Sequence, residues 1–339
     1  MVAAPLDTGV VQNLVKAFAV HLEACTANGC SPATITQYEG RYRQYMAFLK
    51  TQGHEPPFAL ELLDPALVRR AVSWIRERSR DKRGGQGGAH AARTLVSTLK
   101  TGSAWLADEG YLSYDPLARM RRPKAPSSAR APLTQDDVRR LIGAAGEAST
   151  GTRDTAIMLL MLDTGMRVGG VCSIRRTDID LKERRVIVRL KGGREHALYF
   201  GTSERRDGGR TVRALRHYLD ERDELVQRWA GRPRGDKSAG HLFLSYDGWP
   251  LTERGFHEAL AALARAAGME GVFPHRFRHT MATWYLIRNP GDETGLRGVL
   301  GHLSADMYRT YTHIAHEIIA QRAGRVALSE AWLGDGGDS

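Results

Sequence analysis

The chain of 339 residues is poor in cysteine, with only Cys25, Cys30 and Cys172. Three is too few, and an odd number, for a disulfide framework, so reduced thiols in a cytoplasmic protein are expected. Long apolar runs are also missing. The longest, Ala156 to Leu162, has seven residues, where a membrane-spanning helix needs roughly 20. Met1 to Asp7 carry neither a basic start nor an apolar stretch, so no export or insertion signal is read there. Acid is scarce as well: 38 Asp and Glu face 49 Lys and Arg, a net charge of +11. Excess positive charge does not specify a fold, but it favours a polyanionic partner, because neutralised phosphates release condensed counterions. With no membrane segment in view, that partner is expected to be nucleic acid.

Length alone suggests two domains. Residues 1–120 carry apolar side chains at helical spacing. Val11, Leu14, Val15, Phe18 and Leu22 form a first stripe, and Ile35, Tyr38, Tyr42, Tyr45 and Leu49 a second, opened by Ser31 and Pro32 as N-cap and first-turn proline. A third helix follows Pro65, with Leu67, Val68, Ala71, Val72 and Ile75. A fourth, with Leu95, Leu99 and Leu106, comes after a glycine-rich break at Gly84 to Gly88. Charge clusters here. Between residues 69 and 100, Arg69, Arg70, Arg76, Arg78, Arg80, Lys82, Arg83, Arg93 and Lys100 meet only Glu77 and Asp81, a local net of +7. A solvated helix face interleaves its signs, so this one-sided cluster points to backbone phosphates.

Residues 121–131 read as a basic, proline-containing linker in which Arg121, Arg122 and Lys124 suit a strap along DNA. The second domain is then 132–339. In it, Thr134 with Asp136 and Asp137 starts a helix, and Thr152 to Asp163 is apolar on nearly every side and hence buried. Val186 to Val188 and Ala197 to Phe200 flank Lys191-Gly192-Gly193 as a β-hairpin, and helices resume from Val212.

Chemistry concentrates near the end of the chain. With Pro274 in the first turn of a helix, Phe277, Met281 and Trp284 fall on an inward face, and His275, Arg278 and His279 share a polar arc opposite. His275 and His279 have the spacing of zinc ligands. However, Arg276 stands where a zinc protease has its glutamate, and Arg278 would repel a cation, so no metal is expected. Leu300-Gly301-His302 follows, and Tyr311 lies nine residues past His302. A phenol can attack a phosphodiester and later leave, conserving bond energy without ATP. Planar, permanently charged guanidinium groups can meet the charge that builds on non-bridging oxygens. Tyr308, three residues before Tyr311, is a rival nucleophile that the spacing assigns to packing.

Thr164-Gly165-Met166-Arg167, Lys191, His275 with Arg278, Leu300-Gly301-His302 and Tyr311, in this order, resemble the tyrosine recombinase (phage integrase, Xer-like) family along most of the chain. The resemblance implies a mainly α fold with a small β-sheet. An N-terminal helical, SAM-like core-binding domain and a C-terminal α/β catalytic domain would clamp double-stranded recombination sites as a C shape. Dimers on one site and tetramers in synapsis would assemble through a C-terminal segment between Ile314 and Trp332. It also implies catalytic roles for Tyr311, Arg167, Arg278, His275, His302 and Lys191, strand exchange through a 3′-phosphotyrosine, and no cofactor. The absence of an obvious further DNA-binding arm before residue 10 mildly favours a simple Xer-like or mobile-element enzyme.

One position departs from the family, which usually has an acid three residues after its first arginine. Here Arg167-Val168-Gly169-Gly170 offers glycine, leaving Asp163 or Asp178 as substitute acids. Two alternatives stay open: a DNA-binding accessory protein with a weakened site, and a type IB topoisomerase-like relaxing enzyme.

Overall fold

Capping residues and glycines place the helices. The computed structural model describes residues 11–83, 86–124, 131–189, 195–231, 238, 240–301 and 303–323. The chain divides into two units, Met1–Ser128 and Ala129–Ser339.

The first unit holds α1 (Leu14–Ala27), α2 (Pro32–Thr51), α3 (Pro65–Arg83) and α4 (Gln86–Asp108). Asn13 accepts from the Lys16 amide at 3.0 Å, and Ser31 from that of Thr34 at 3.2 Å. Asp64 takes the amides of Ala66 and Leu67 at 2.7 and 3.0 Å. Each cap satisfies N–H groups that a first helical turn leaves without partners. The expected stripes supply the core: Leu14, Phe18, Tyr42, Tyr45, Leu49, Val68, Ile75, Leu95 and Leu99 are buried, and Phe18 stacks on Tyr42 at 3.9 Å. Val15 does not belong to it. At 44 % exposure it lies outside the inward stripe, which is narrower than its spacing suggested.

The glycine-rich break is also shorter than expected, because α4 already begins at Gln86. A Cβ on Gly88 would stand 2.9 Å from that of Ser79, so glycine there lets α4 cross close to α3. Lys100 needs a larger correction. Its ammonium donates to the carbonyls of Leu117, Ala118 and Met120 at 2.6, 2.7 and 2.8 Å. All three donors are thereby engaged in holding the chain that leaves α4, which takes Lys100 out of the phosphate-facing set.

The second unit is built around α6 (Gly151–Thr164). On it pack α5 (Gln135–Gly146), α8 (Gly209–Trp229), α9 (Glu253–Ala266) and α10 (Pro274–Arg288). α7 (Val168–Ser173) and the strands β1 (Ile179–Asp180), β2 (Arg185–Arg189) and β3 (Glu195–Tyr199) lie between α6 and α8 in sequence; α11 (Glu293–Leu300) and α12 (Ala305–Ala323) follow α10. Thr134 and Asp137 form a reciprocal capping box on α5. The sheet is antiparallel in the order β1-β2-β3, with Val188 opposite His196 and Arg189 opposite Glu195. β1 is a two-residue strand that no period-two pattern announces.

Two apolar clusters result in this unit. The larger gathers Ile157, Leu160, Leu215, Phe243, Phe256 and Phe277. The smaller joins Met281, Leu286, Leu296, Leu300, Leu303 and Tyr311 where α10, α11 and α12 meet. Near the end of α12, the Arg322 guanidinium lies 4.6 Å over the ring of Trp284 and pins that helix back onto α10.

Replacing Lys100 by methionine is expected to cost about 1.5–3 kcal/mol, the range for hydrogen bonds that involve a charged group. Urea denaturation of the full chain measures it; a salt titration of DNA binding should show an unchanged slope.

Candidate active site

A glycine turn and two helix ends assemble this site. Gly165 caps the C-terminus of α6 at φ 63°, in the left-handed region. A Cβ on it would meet Met281 at 2.8 Å and Leu300 at 2.9 Å, so only glycine allows the turn to press against α10 and α11. Two residues on, Arg167 emerges exposed at the N-cap of α7.

Arg278 reaches the same place from α10. It is 2 % exposed, and donates to the carbonyl of Gly165 at 2.8 Å and to that of Leu300 at 3.1 Å. Both carbonyls end helices, where aligned peptide dipoles concentrate negative charge. These contacts offset the cost of burying a cation. Burial, then the Arg167 charge, push the guanidinium down to about 10, with the Tyr311 phenol opposing. It is protonated at neutral pH. The polar arc read from the sequence is therefore closed over at Arg278, while His275 and His279 remain half-buried.

Tyr311 comes from α12 and is fully buried. Its hydroxyl has no hydrogen-bond partner among the described residues, a condition that costs about 1–3 kcal/mol for a buried polar group. Burial raises the phenol pKa, and Arg278 and then Arg167 pull it back down. Tyr308 is only partly buried and packs against the same apolar cluster from outside.

One residue acquires a position that the sequence did not assign. His279 shares the arc of His275, and in the fold its ring meets the Tyr311 ring edge-on at 5.4 Å and the His275 ring at 4.6 Å. The three rings form a continuous bridge from α10 to α12. Burial, then His275 and Arg278, push His279 down to about 4. His275 is also lowered, by burial, Arg278 and Arg167 in that order. Both imidazoles are neutral at pH 7 and each keeps a lone pair able to accept a proton; the ring in contact with the Tyr311 ring is that of His279. The signal in the sequence was only the four-residue spacing; contact with Tyr311 depends on how α12 folds back.

Lys191 and His302 lie outside the described residues. So do the side chains of Arg80, Lys82 and Arg83. Among the remaining basic candidates of the first unit, Arg69, Arg70, Arg76, Arg78, Arg93, Arg121, Arg122 and Lys124 are exposed. Arg78 stacks on Trp74 at 4.9 Å, and Arg122 donates to Ser97 at 3.1 Å.

Neither substitute acid reaches Arg167. Asp163 accepts from the Gly201 amide at 2.7 Å and the Thr211 hydroxyl at 2.6 Å. Asp178 accepts from the Arg175 amide at 2.8 Å and faces Arg189 at 3.6 Å. Among the described residues, no group of three or more His, Cys, Asp or Glu side chains could hold a metal.

A match to the phage integrase family spans residues 132–317, more than half of the chain. The chain belongs to that family. Among relatives, it is 27% identical over 308 residues to tyrosine recombinase XerC of Xanthomonas campestris pv. campestris (strain B100), covering 91% of this chain and 86% of that protein. It is also 27% identical to tyrosine recombinase XerD of Listeria monocytogenes serotype 4b (strain F2365), covering 84% and 89%. The fold is similar to a lambda integrase dimer bound to a COC′ core site, with TM-score 0.62, 19% identity and coverage of 88% and 77%. It is likewise similar to the Tn1549 transposon integrase in complex with transposon right end DNA, with TM-score 0.65, 15% identity and coverage of 92% and 99%. This family member is a tyrosine recombinase, an enzyme of site-specific DNA recombination.

A histidine whose folded pKa is depressed stabilises the fold above its unfolded value and withdraws that support as pH falls. For His279 the window runs from the ordinary 6.5 down to about 4. Thermal unfolding should show stability falling across that range, and His279→Gln should flatten the fall.

Proposed function

We propose that Tyr311 attacks the scissile phosphorus of a DNA recombination site, forming a 3′-phosphotyrosine and releasing a 5′ hydroxyl. Reversal by a 5′ hydroxyl from the partner duplex expels the phenol and joins the strands. In this reading Arg167 and Arg278 hold the non-bridging oxygens and stabilise the pentavalent transition state. Neutral His275 takes the phenol proton, His302 hydrogen-bonds the phosphate, and Lys191 protonates the departing 5′ oxygen. The observation that carries the proposal is the placement of one chain's own Tyr311 beside its own Arg278 and Arg167, whose charges both act on the phenol. Cleavage would then occur in cis, each protomer using its own nucleophile.

Arg69, Arg70, Arg76, Arg78, Arg93, Arg121, Arg122 and Lys124, with Arg80, Lys82 and Arg83, would track backbone phosphates of the core site. Dimers on one site and tetramers in synapsis would follow, coupled through the C-terminal segment. Lambda integrase has been solved as a dimer on a core site and as a tetramer on a Holliday junction, which supports this reading. Among the described residues no helix is long and apolar enough to cross a membrane.

A nicked suicide substrate tests the chemistry. Wild-type protein should form a denaturation-resistant adduct and Tyr311→Phe none. A wild type that binds without an adduct would instead be an accessory DNA-binding protein, and relaxation without recombination of a two-site plasmid would mark a relaxing enzyme. Arg278→Ala should retain most DNA binding and lose cleavage; equal loss of both would contradict a transition-state role. Because the His275 pKa is lowered, the acid limb of the cleavage profile should lie below pH 6.5. DNA affinity should fall steeply with salt, and each removed phosphate contact should shrink the slope by about one.

A further inference from the structure

The first helix ends on a pair of thiols that strand cleavage does not use. Just past α1, Gly29 turns the chain through the left-handed region at φ 70°. Its amide donates to the carbonyl of Thr26 at 3.1 Å, and the Cys30 amide to the carbonyl of Cys25 at 2.9 Å. These two bonds make a Schellman motif, in which the residues at the positions of Cys25 and Cys30 commonly meet through apolar side chains. Here both carry sulfur. Standard bond lengths across the second hydrogen bond keep the two α-carbons within about 6.8 Å of each other, the outer limit for a disulfide. The thiols themselves are close enough to hydrogen-bond, and both are free.

Their surroundings differ. Cys30 is half-buried and reachable, whereas Cys25 is buried. Burial, then Cys30, push the Cys25 thiol up to about 11, which makes it a poor first nucleophile. Beside it lies His21, also buried and held neutral because burial lowers its pKa. In the tautomer whose Nδ1–H donates to the Tyr42 hydroxyl oxygen at 2.8 Å, His21 Nε2 faces Cys25 Sγ at 3.6 Å and can take its proton. The rings of Tyr38, Tyr42 and Trp105 surround this imidazole. Cys172, in the second unit, has no such support; burial and then Glu253 push it up to about 12.

We propose that Cys25 and Cys30 form a reversible disulfide within the native turn, closed by exchange with a small disulfide of the glutathione class and assisted by His21. The Cys30 thiolate attacks one sulfur of the small disulfide, whose S–S bond breaks and releases one thiolate. Cys25 then passes its proton to His21 Nε2 and attacks Cys30 Sγ. The mixed disulfide breaks, and the second small thiolate leaves with that proton. Two cysteine thiols are oxidised and one small disulfide is reduced to two thiols.

The experiment treats the full chain, without DNA, with oxidised glutathione and follows it by intact mass and peptide mapping. Wild-type protein should lose two hydrogens and link position 25 to position 30, and dithiothreitol should restore it. Cys25→Ser should stop with glutathione on Cys30, and Cys30→Ser should leave Cys25 unmodified. His21→Gln, which keeps a hydrogen-bonding group but no base, should slow closure about a hundredfold, so that the mixed disulfide accumulates. The oxidised chain should melt a few degrees above the reduced one, because closing a short loop restricts the unfolded state. Stable glutathione on wild-type Cys30, linkage only between chains, or reaction at Cys172 alone overturns the inference. So does closure in His21→Gln at the wild-type rate, or a lower Tm after oxidation, which would mean that the bond distorts the turn.

Discussion

The site depends on one buried cation seated against two helix ends. Arg278 joins the C-terminus of α6 at Gly165 to that of α11 at Leu300, and each carbonyl is available because a helix terminates there with a positive-φ glycine. Three separate segments are thereby fixed relative to one another by a single guanidinium. Removing it would leave two helix-end carbonyls unmet in the interior and release the turn that presents Arg167. Its chemical role and its architectural role are inseparable, which is why the expected phenotype of Arg278→Ala has to be read from binding and cleavage together.

The phenol stands in a complementary situation. Burial makes Tyr311 harder to ionise, and the two arginines make it easier. With neutral imidazoles alongside and an unmet hydroxyl, the resting site would hold its proposed nucleophile protonated until a phosphate arrives. Charge on the substrate would draw on the guanidinium groups, and the phenolate would form only as bonding to phosphorus begins. Such an arrangement would limit idle reactivity in a protein whose action breaks DNA strands.

Much of this was legible in the residues. Ser31-Pro32, Thr134 with Asp137, and the seven apolar residues of α6 announce their helices because capping and periodicity are local properties. The order of Arg167, Arg278 and Tyr311 announced the chemistry, since few reactions use that set. What escaped the sequence depends on long-range packing. Lys100 counts as one more positive charge until the chain after Leu117 folds over it. Arg278 belongs to a polar arc until Gly165 and Leu300 close upon it, and His279 gains significance only when α12 lays Tyr311 against its ring. The two-residue β1 has too few side chains for any period to register.

The clasp of Arg322 on Trp284 bears on how protomers could communicate. α12 is one uninterrupted rod of 19 residues, held by Tyr311 near its middle and by that clasp at its far end, about 16 Å away at 1.5 Å per residue. In the proposed synapse, a neighbour holding the chain after α12 would pull on a lever whose other arm carries the proposed nucleophile. Loosening one stacked pair would then be a mechanical route for timing the cut in each half.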